Sequence, residues 1–199
     1  MPSSLAPDAA LVREVFPVDD PFTRIADREG AFVLRSSLAE PGDARARWTL
    51  FGAEPFARFR GGDPAVAQAA FHAFAATGAA ALHEALHTLG APFAGGAVGY
   101  WAYDYGRRLE RLPTIARDDL GLPDAVLALY DTIGVHDHAS GRTWLCSTGL
   151  PAEGDERRAR AHARLDAFRA ALESPAPPRL VTAPARGERT AHSTFDADG

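Results

Sequence analysis

Apolar positions along the chain fall into short runs separated by turn residues, with two longer stretches at helical spacing. Residues 1–30 hold no sustained period, which predicts an irregular lead-in containing Pro17 and Pro21. An apolar run at 31–35 predicts a buried strand, and Pro41-Gly42 within 40–43 predicts a turn. Residues 47–51 predict a second strand closed by Gly52. Phe56, Arg58 and Arg60 alternate with Ala57 and Phe59, which predicts a third strand ending at Gly61-Gly62.

Asp63-Pro64 is a helix start: aspartate accepts from orphan backbone N–H groups, and proline is preorganised for the first helical position. Val66, Ala70 and Phe74 then share one face. Gly78 predicts an interruption, and Leu82, Leu86 and Leu89 point inward on a second helix stopped by Gly90. Residues 95–105, rich in glycine and aromatics, predict a strand approached closely by other backbone. A short helical turn follows at 106–112. Residues 126–136 and 142–147 predict two strands joined through Ala139-Ser140-Gly141 as a hairpin. Residues 154–173 predict a charged amphipathic helix with Ala161, Leu165, Phe168 and Leu172 as its apolar stripe. Short strands, an antiparallel hairpin and no regular βαβ repeat predict an α+β fold with antiparallel sheet. The expected domain covers 1–173. Residues 174–199, with Pro175, Pro177, Pro178 and Pro184, read as a linker toward a further domain.

Composition narrows the function. The 199 residues are 46% hydrophobic and 24% charged, the balance of a globular protein. A net charge of -5 argues against a nucleic-acid partner or a polybasic membrane patch. The stretch 65–89 is alanine-rich but broken by His72, His83, Glu84 and His87, unlike a membrane span. All 21 basic residues counted as Lys or Arg are arginine, so no Schiff base, lysine nucleophile or P-loop lysine can come from this stretch. Cys146 is the single cysteine, which excludes an internal disulfide and fits a reducing cytoplasm. Its place in an alternating strand predicts a buried, inert thiol.

The candidate chemistry is thin. His83-Glu84-Ala85-Leu86-His87 matches H-E-x-x-H on a predicted helix, but no third ligand follows at the spacing a zinc protease needs. No metal ligand is assigned. His136 and His138 read as surface polar residues. Asp118, Asp119 and Asp124 read as solvent-facing or capping groups, and Asp104, Arg107, Arg108 and Glu110 as a structural ion-pair cluster.

The most informative segment is 92–138. It contains Pro92-Phe93, Gly95-Gly96, Gly99-Tyr100, Tyr103-Asp104, Glu110-Arg111-Leu112-Pro113, Leu122-Pro123-Asp124, Tyr130-Asp131 and Asp137-His138. In these elements and their spacing it resembles the N-terminal region of the anthranilate synthase component I family. The run Tyr105 to Pro113 and the segment 48–56 are most similar to the aminodeoxychorismate synthase branch. The resemblance implies amination of chorismate to 4-amino-4-deoxychorismate, with ammonia from a glutamine amidotransferase partner and with magnesium. It also implies that the catalytic residues and Mg2+ ligands lie in a C-terminal chorismate-binding domain, so no catalytic residue is expected in this chain. The alternatives are the anthranilate synthase branch and a stand-alone amino-acid-binding or amidotransferase-docking module.

In that family the first strands help form a tryptophan pocket. Ser36 matches the family's strand serine, and Arg47-Trp48-Thr49 takes the place of its Arg-Tyr-Ser. Ser36, Arg47 and Trp48 are therefore the ligand-binding candidates for L-tryptophan, with Arg47 able to pair with a carboxylate. Two residues depart from the pattern. Arg35 stands where feedback-sensitive members usually have glutamate, and Trp48 is large enough to fill the pocket itself. An ordinary strand pair with Trp48 in the core is the competing reading.

Overall fold

The computed structural model describes residues 10–15, 20–35, 47–61, 64–113, 118 and 120–175. The expected α+β architecture is present: two antiparallel sheets with helices packed on them. Among the described residues the strands are β1 (Leu11–Val15), β2 (Phe32–Arg35), β3 (Trp48–Gly52), β4 (Ala57–Arg60), β5 (Gly96–Trp101), β6 (Ala125–Tyr130), β7 (Thr132–Asp137) and β8 (Arg142–Ser147). The helices are α1 (Pro21–Ile25), α2 (Pro64–Leu89) and α3 (Gly154–Glu173), with a 3-10 helix at Tyr103–Arg108. One sheet has five strands in the order β1-β8-β7-β3-β2, and the other three in the order β4-β6-β5.

The period-2 pattern of the large sheet sorts its side chains into two cores. Leu50, Ile133, Val135 and Cys146 face the small sheet and the second half of α2, meeting Ala85, Leu89, Ala128 and Tyr130. On the opposite face Phe51 and Leu145 meet Leu165, Phe168 and Leu172 of α3, together with Ile25 of α1. A third cluster, Phe74, Leu129 and Leu150, fixes the first half of α2 against the small sheet. The stripe predicted on α3 is buried at all four positions.

Four expectations change. The lead-in contains β1 and α1. α1 carries the same aspartate-proline start that marked α2: Asp20 accepts from the Thr23 N–H, and Pro21 opens the helix. β1 has weak alternation of its own and is held by β8, about 130 residues away, from Leu11↔Ser147 to Val15↔Thr143. Gly78 does not interrupt α2, which runs unbroken for 26 residues. Its flanking alanines favour helix, and a single internal glycine costs only about 1 kcal/mol. Asp63, the expected cap, lies outside the described residues. The apolar stretch 126–136 is two strands in different sheets, β6 and β7, parted at Asp131. β7 then makes the expected hairpin with β8, from Thr132↔Ser147 to Asp137↔Arg142. The helical turn expected at 106–112 lies earlier, at Tyr103–Arg108.

Candidate functional site

Arg47 immediately precedes β3, and the register Trp48↔Asp137 brings the end of β7 beside it. Its guanidinium donates twice to Asp137, from Nε to Oδ1 at 2.8 Å and from Nη2 to Oδ2 at 2.9 Å. The same guanidinium lies over the Trp48 ring, 4.5 Å from its centroid. Trp48 is half-buried against the core between the sheets. Two of the three expected ligand-binding residues therefore adjoin each other, and Arg47 already holds a carboxylate from within the chain. A ligand carboxylate at Arg47 competes with Asp137. Ser36 lies outside the described residues.

In the sequence Asp137 stands out only as part of a motif, and its pairing with Arg47 depends on a long-range register that periodicity does not reveal. Its carboxylate is 3% exposed. The Arg47 hydrogen bonds hold its pKa down at about 2, against the opposing effect of burial and helped by the Ala139 N–H and the Ser140 hydroxyl. A depressed carboxylate pKa contributes stability above the ordinary carboxylate range, which is lost as pH falls through about 2. The shift corresponds to roughly 2 kcal/mol. Arg47→Met is expected to abolish most of this contribution, so that the urea midpoints of wild type and variant, well separated at pH 6, converge by pH 2. Parallel midpoints across that range would refute the role given to the pair.

Beside this pair, His136 departs from the surface expectation. It is half-buried, with Nδ1 2.8 Å from the buried Thr143 hydroxyl, because β7 places it on the face covered by α3. His138 is exposed as expected, with Nε2 2.7 Å from the Thr49 hydroxyl, and the two imidazoles meet edge-on at 4.7 Å. Cys146 is buried and its thiol is pushed up to about 12, which leaves no thiolate at neutral pH. Asp118 caps a turn by accepting from the Gly121 N–H at 2.8 Å. Asp124 pairs with Arg108 at 3.3 Å, Arg107 pairs with Asp104 at 3.2 Å, and Glu110 is exposed. Asp119 lies outside the described residues. Among the described residues, no group of three or more His, Cys, Asp or Glu side chains could hold a metal ion. No helix among them is long and apolar enough to cross a membrane.

Two features had no signal in the sequence. An open cavity of about 440 Å³ lies between the first half of α2 and the outer face of β5, lined by Gln68, Phe71, His72, Gly99, Trp101 and Tyr105 among others. Gly99 beside it bears out the close backbone approach predicted for 95–105: a Cβ at this position would sit 1.9 Å from the Val126 carbonyl oxygen of β6. The second feature is a row of arginines on α3. Arg157 donates to the Thr148 carbonyl, Arg160 to the Leu150 carbonyl and Arg164 to the Glu54 carbonyl. Arg160 and Arg164 also approach the wholly buried carboxylate of Asp131, at 3.4 and 3.3 Å. This row ties α3 to the point where the chain leaves one sheet for the other.

Residues 36–196 match a family model described as chorismate binding enzyme. Anthranilate synthase component 1 of Mycobacterium tuberculosis is 38% identical over 176 residues, covering 79% of this chain and 34% of the relative. Aminodeoxychorismate synthase component 1 of Escherichia coli is 48% identical over 52 residues, 26% of this chain and 12% of the relative. The solved anthranilate synthase component I of Streptococcus pneumoniae gives a TM-score of 0.47 at 18% identity, covering 83% of this chain and 38% of that one. The chain thus spans about a third of the length of the curated relatives that it matches across most of its own length. The chain belongs to the chorismate binding enzyme family.

Proposed function

We propose that this chain is the N-terminal, non-catalytic part of an aminodeoxychorismate synthase component I. The whole protein would aminate chorismate to 4-amino-4-deoxychorismate, in the cytoplasm, for para-aminobenzoate and folate synthesis. The observation that carries the aminating reading is the identity to component 1 proteins of both branches, 38% over 176 residues in one and 48% over 52 residues in the other. The residues at 105–113 support the aminodeoxychorismate branch. The greater length of the anthranilate synthase matches supports that branch as the second reading. Ammonia would come from a separate glutamine amidotransferase, the natural counterpart of a protein numbered as component 1.

Chemistry is assigned to the part of the relatives that lies outside this chain. The chain has no lysine, and its described residues offer no acidic cluster that fits a magnesium ion. What these residues supply is a rigid two-sheet body whose polar side chains are largely committed to one another. Ser36, Arg47 and Trp48 are proposed to border an amino-acid site, with Arg47 exchanging Asp137 for the carboxylate of L-tryptophan. Calorimetry of the full-length protein with L-tryptophan tests this. A heat of binding lost in Arg47→Met supports the site, and the absence of any heat rejects it.

The branch is tested by product. Full-length protein given chorismate, ammonia and magnesium is expected to yield 4-amino-4-deoxychorismate, identified by chromatography and mass. Anthranilate as the only product would transfer the chain to the second branch. The isolated 199-residue chain under the same conditions is expected to yield neither product. Measurable turnover would reject its non-catalytic role.

A further inference from the structure

The first half of α2 lies against the small sheet with open space on either flank. On one side is the cavity of about 440 Å³ already described, walled by Gln68, Phe71 and His72 of the helix and floored by Ala97 and Gly99 of β5. On the other, an open cavity of about 370 Å³ lies between Ala70 and Ala73 of the helix and Phe56 and Ala57 at the start of β4. At 3.6 residues per turn, positions 68, 71 and 72 fall on one side of the helix and 70 and 73 on the other. Phe74 reaches Leu129 of β6, the central strand, and Leu150, and it stacks on Phe56 with ring centroids 5.6 Å apart. Among the described side chains of 65–76, Phe74 alone is buried.

The second half is anchored more firmly. Ala85 and Leu89 are buried between the sheets, and Leu82 and Leu86 pack on the same cluster. Between the two halves the sequence from Ala75 to Ala81 is five alanines, Thr77 and Gly78, with no large residue to brace one half against the other. Glycine supplies the backbone freedom that helix bends and hinges use. At its other end the helix follows β4 through Gly61-Gly62, and nothing lies within 4 Å of where a Cβ at Gly61 would stand. A segment with one buried anchor and open flanks belongs to the least stable part of a fold.

We propose that the first half of α2 is a lid hinged at Gly78, which lifts as a unit from the outer face of the small sheet while the second half stays in place. Withdrawal of Phe74 joins the two cavities into one apolar trough floored by Ala97, Leu127 and Leu129. A helix of about a dozen residues is marginal in water without a packed face, so the lifted segment loses its hydrogen bonds and its amides become open to exchange.

Residue-resolved amide hydrogen exchange of the full-length protein tests this. Amides of 68–76 are expected to share one opening equilibrium, at least tenfold more populated than that of 82–89, with the step at 77–79. Gly78→Ala is expected to reduce the opening of 68–76 about fivefold, the difference in helix propensity between the two residues. Phe74→Ala is expected to raise it at least tenfold, and neither variant should change 82–89. Protection that climbs steadily from Ala65 to Leu89 overturns the hinge, because the helix then frays from its end. Equal protection of the two halves, or variants that shift both together, overturns it as well, because α2 then opens as a single unit. The wild-type profile decides on its own if a variant does not fold.

Discussion

Arg164→Met is expected to lower stability at neutral pH by about 3 kcal/mol. The reason lies in Asp131 rather than in the arginine. The Asp131 carboxylate has no exposure, and neither of its oxygens receives an aligned hydrogen bond. Its compensation comes from two guanidinium groups at 3.3 and 3.4 Å. Burial still holds its pKa above the usual carboxylate value, against the pull of Arg164 first and Arg160 second. Removing Arg164 leaves Arg160 as the one remaining cation of the two beside a buried charge, and also removes the bonds to the carbonyl and carboxylate of Glu54. Glu54 has a positive φ of 55°, a conformation that a non-glycine residue holds only when its surroundings enforce it. Methionine keeps the apolar stem, so the loss is of charge and not of packing.

Two readouts separate this account from general damage to the helix. Asp131→Asn in the Arg164→Met background is expected to restore at least half of the loss, because the uncompensated charge has gone. The destabilisation should also shrink on acidification. Asp131 with a raised pKa binds its proton in the native state at a pH where the unfolded chain has released it, so lowering the pH favours the native state. That is opposite in sign to the contribution of Asp137. Thermal unfolding serves for both, with a shift of about 10 °C expected for a domain of this size. A loss that neither Asp131→Asn nor acid relieves would place the role of Arg164 elsewhere.

The parts of the fold that could be read from the sequence were those whose partners lie nearby in the chain. The β7–β8 hairpin joins neighbouring strands through a glycine-bearing turn, and the α3 stripe repeats at helical spacing. β1 depends on a partner about 130 residues away, so nothing local marks it strongly. The split at Asp131 was hidden because six apolar-rich residues on either side of one aspartate look like a single strand. The chain turns there because β6 and β7 belong to different sheets, with the aspartate buried between them under two α3 arginines. The candidate site was legible as residue types and not as partners. Arg47 was seen as a carboxylate-binding group, but its carboxylate, Asp137, lies 90 residues later. The glycine-rich run at 95–105 signals a close backbone approach, which Gly99 makes to β6, but the cavity beside it is a product of how α2 crosses the small sheet.

The glycine at 134 offers a sharper measure of how strictly the large sheet is packed. β7 pairs with β3 so that Gly134 lies opposite Phe51, and the Phe51 ring folds over the glycine. A Cβ at 134 would stand 2.1 Å from Phe51 Cζ, well inside van der Waals contact. The ring has no exposure and touches the Phe168 ring of α3, with centroids 6.0 Å apart, inside the cluster that includes Leu145 and Leu165. It cannot swing outward without breaking that cluster. Gly134→Ala is therefore expected to destabilise the chain by about 3 kcal/mol, at the upper end for overpacking of a tight core, even though alanine suits a strand at least as well as glycine. The conflict is between two named groups, so it should be relieved by shrinking the other one. Phe51→Leu alone is expected to cost about 1 to 2 kcal/mol through lost burial. In that background Gly134→Ala should cost less than about 1 kcal/mol, giving a coupling of about 2 kcal/mol in a double-mutant cycle read from urea unfolding. Strict additivity would mean that the ring yields to the methyl group without penalty, and that α3 rests on a looser sheet than the Phe51–Gly134 contact implies.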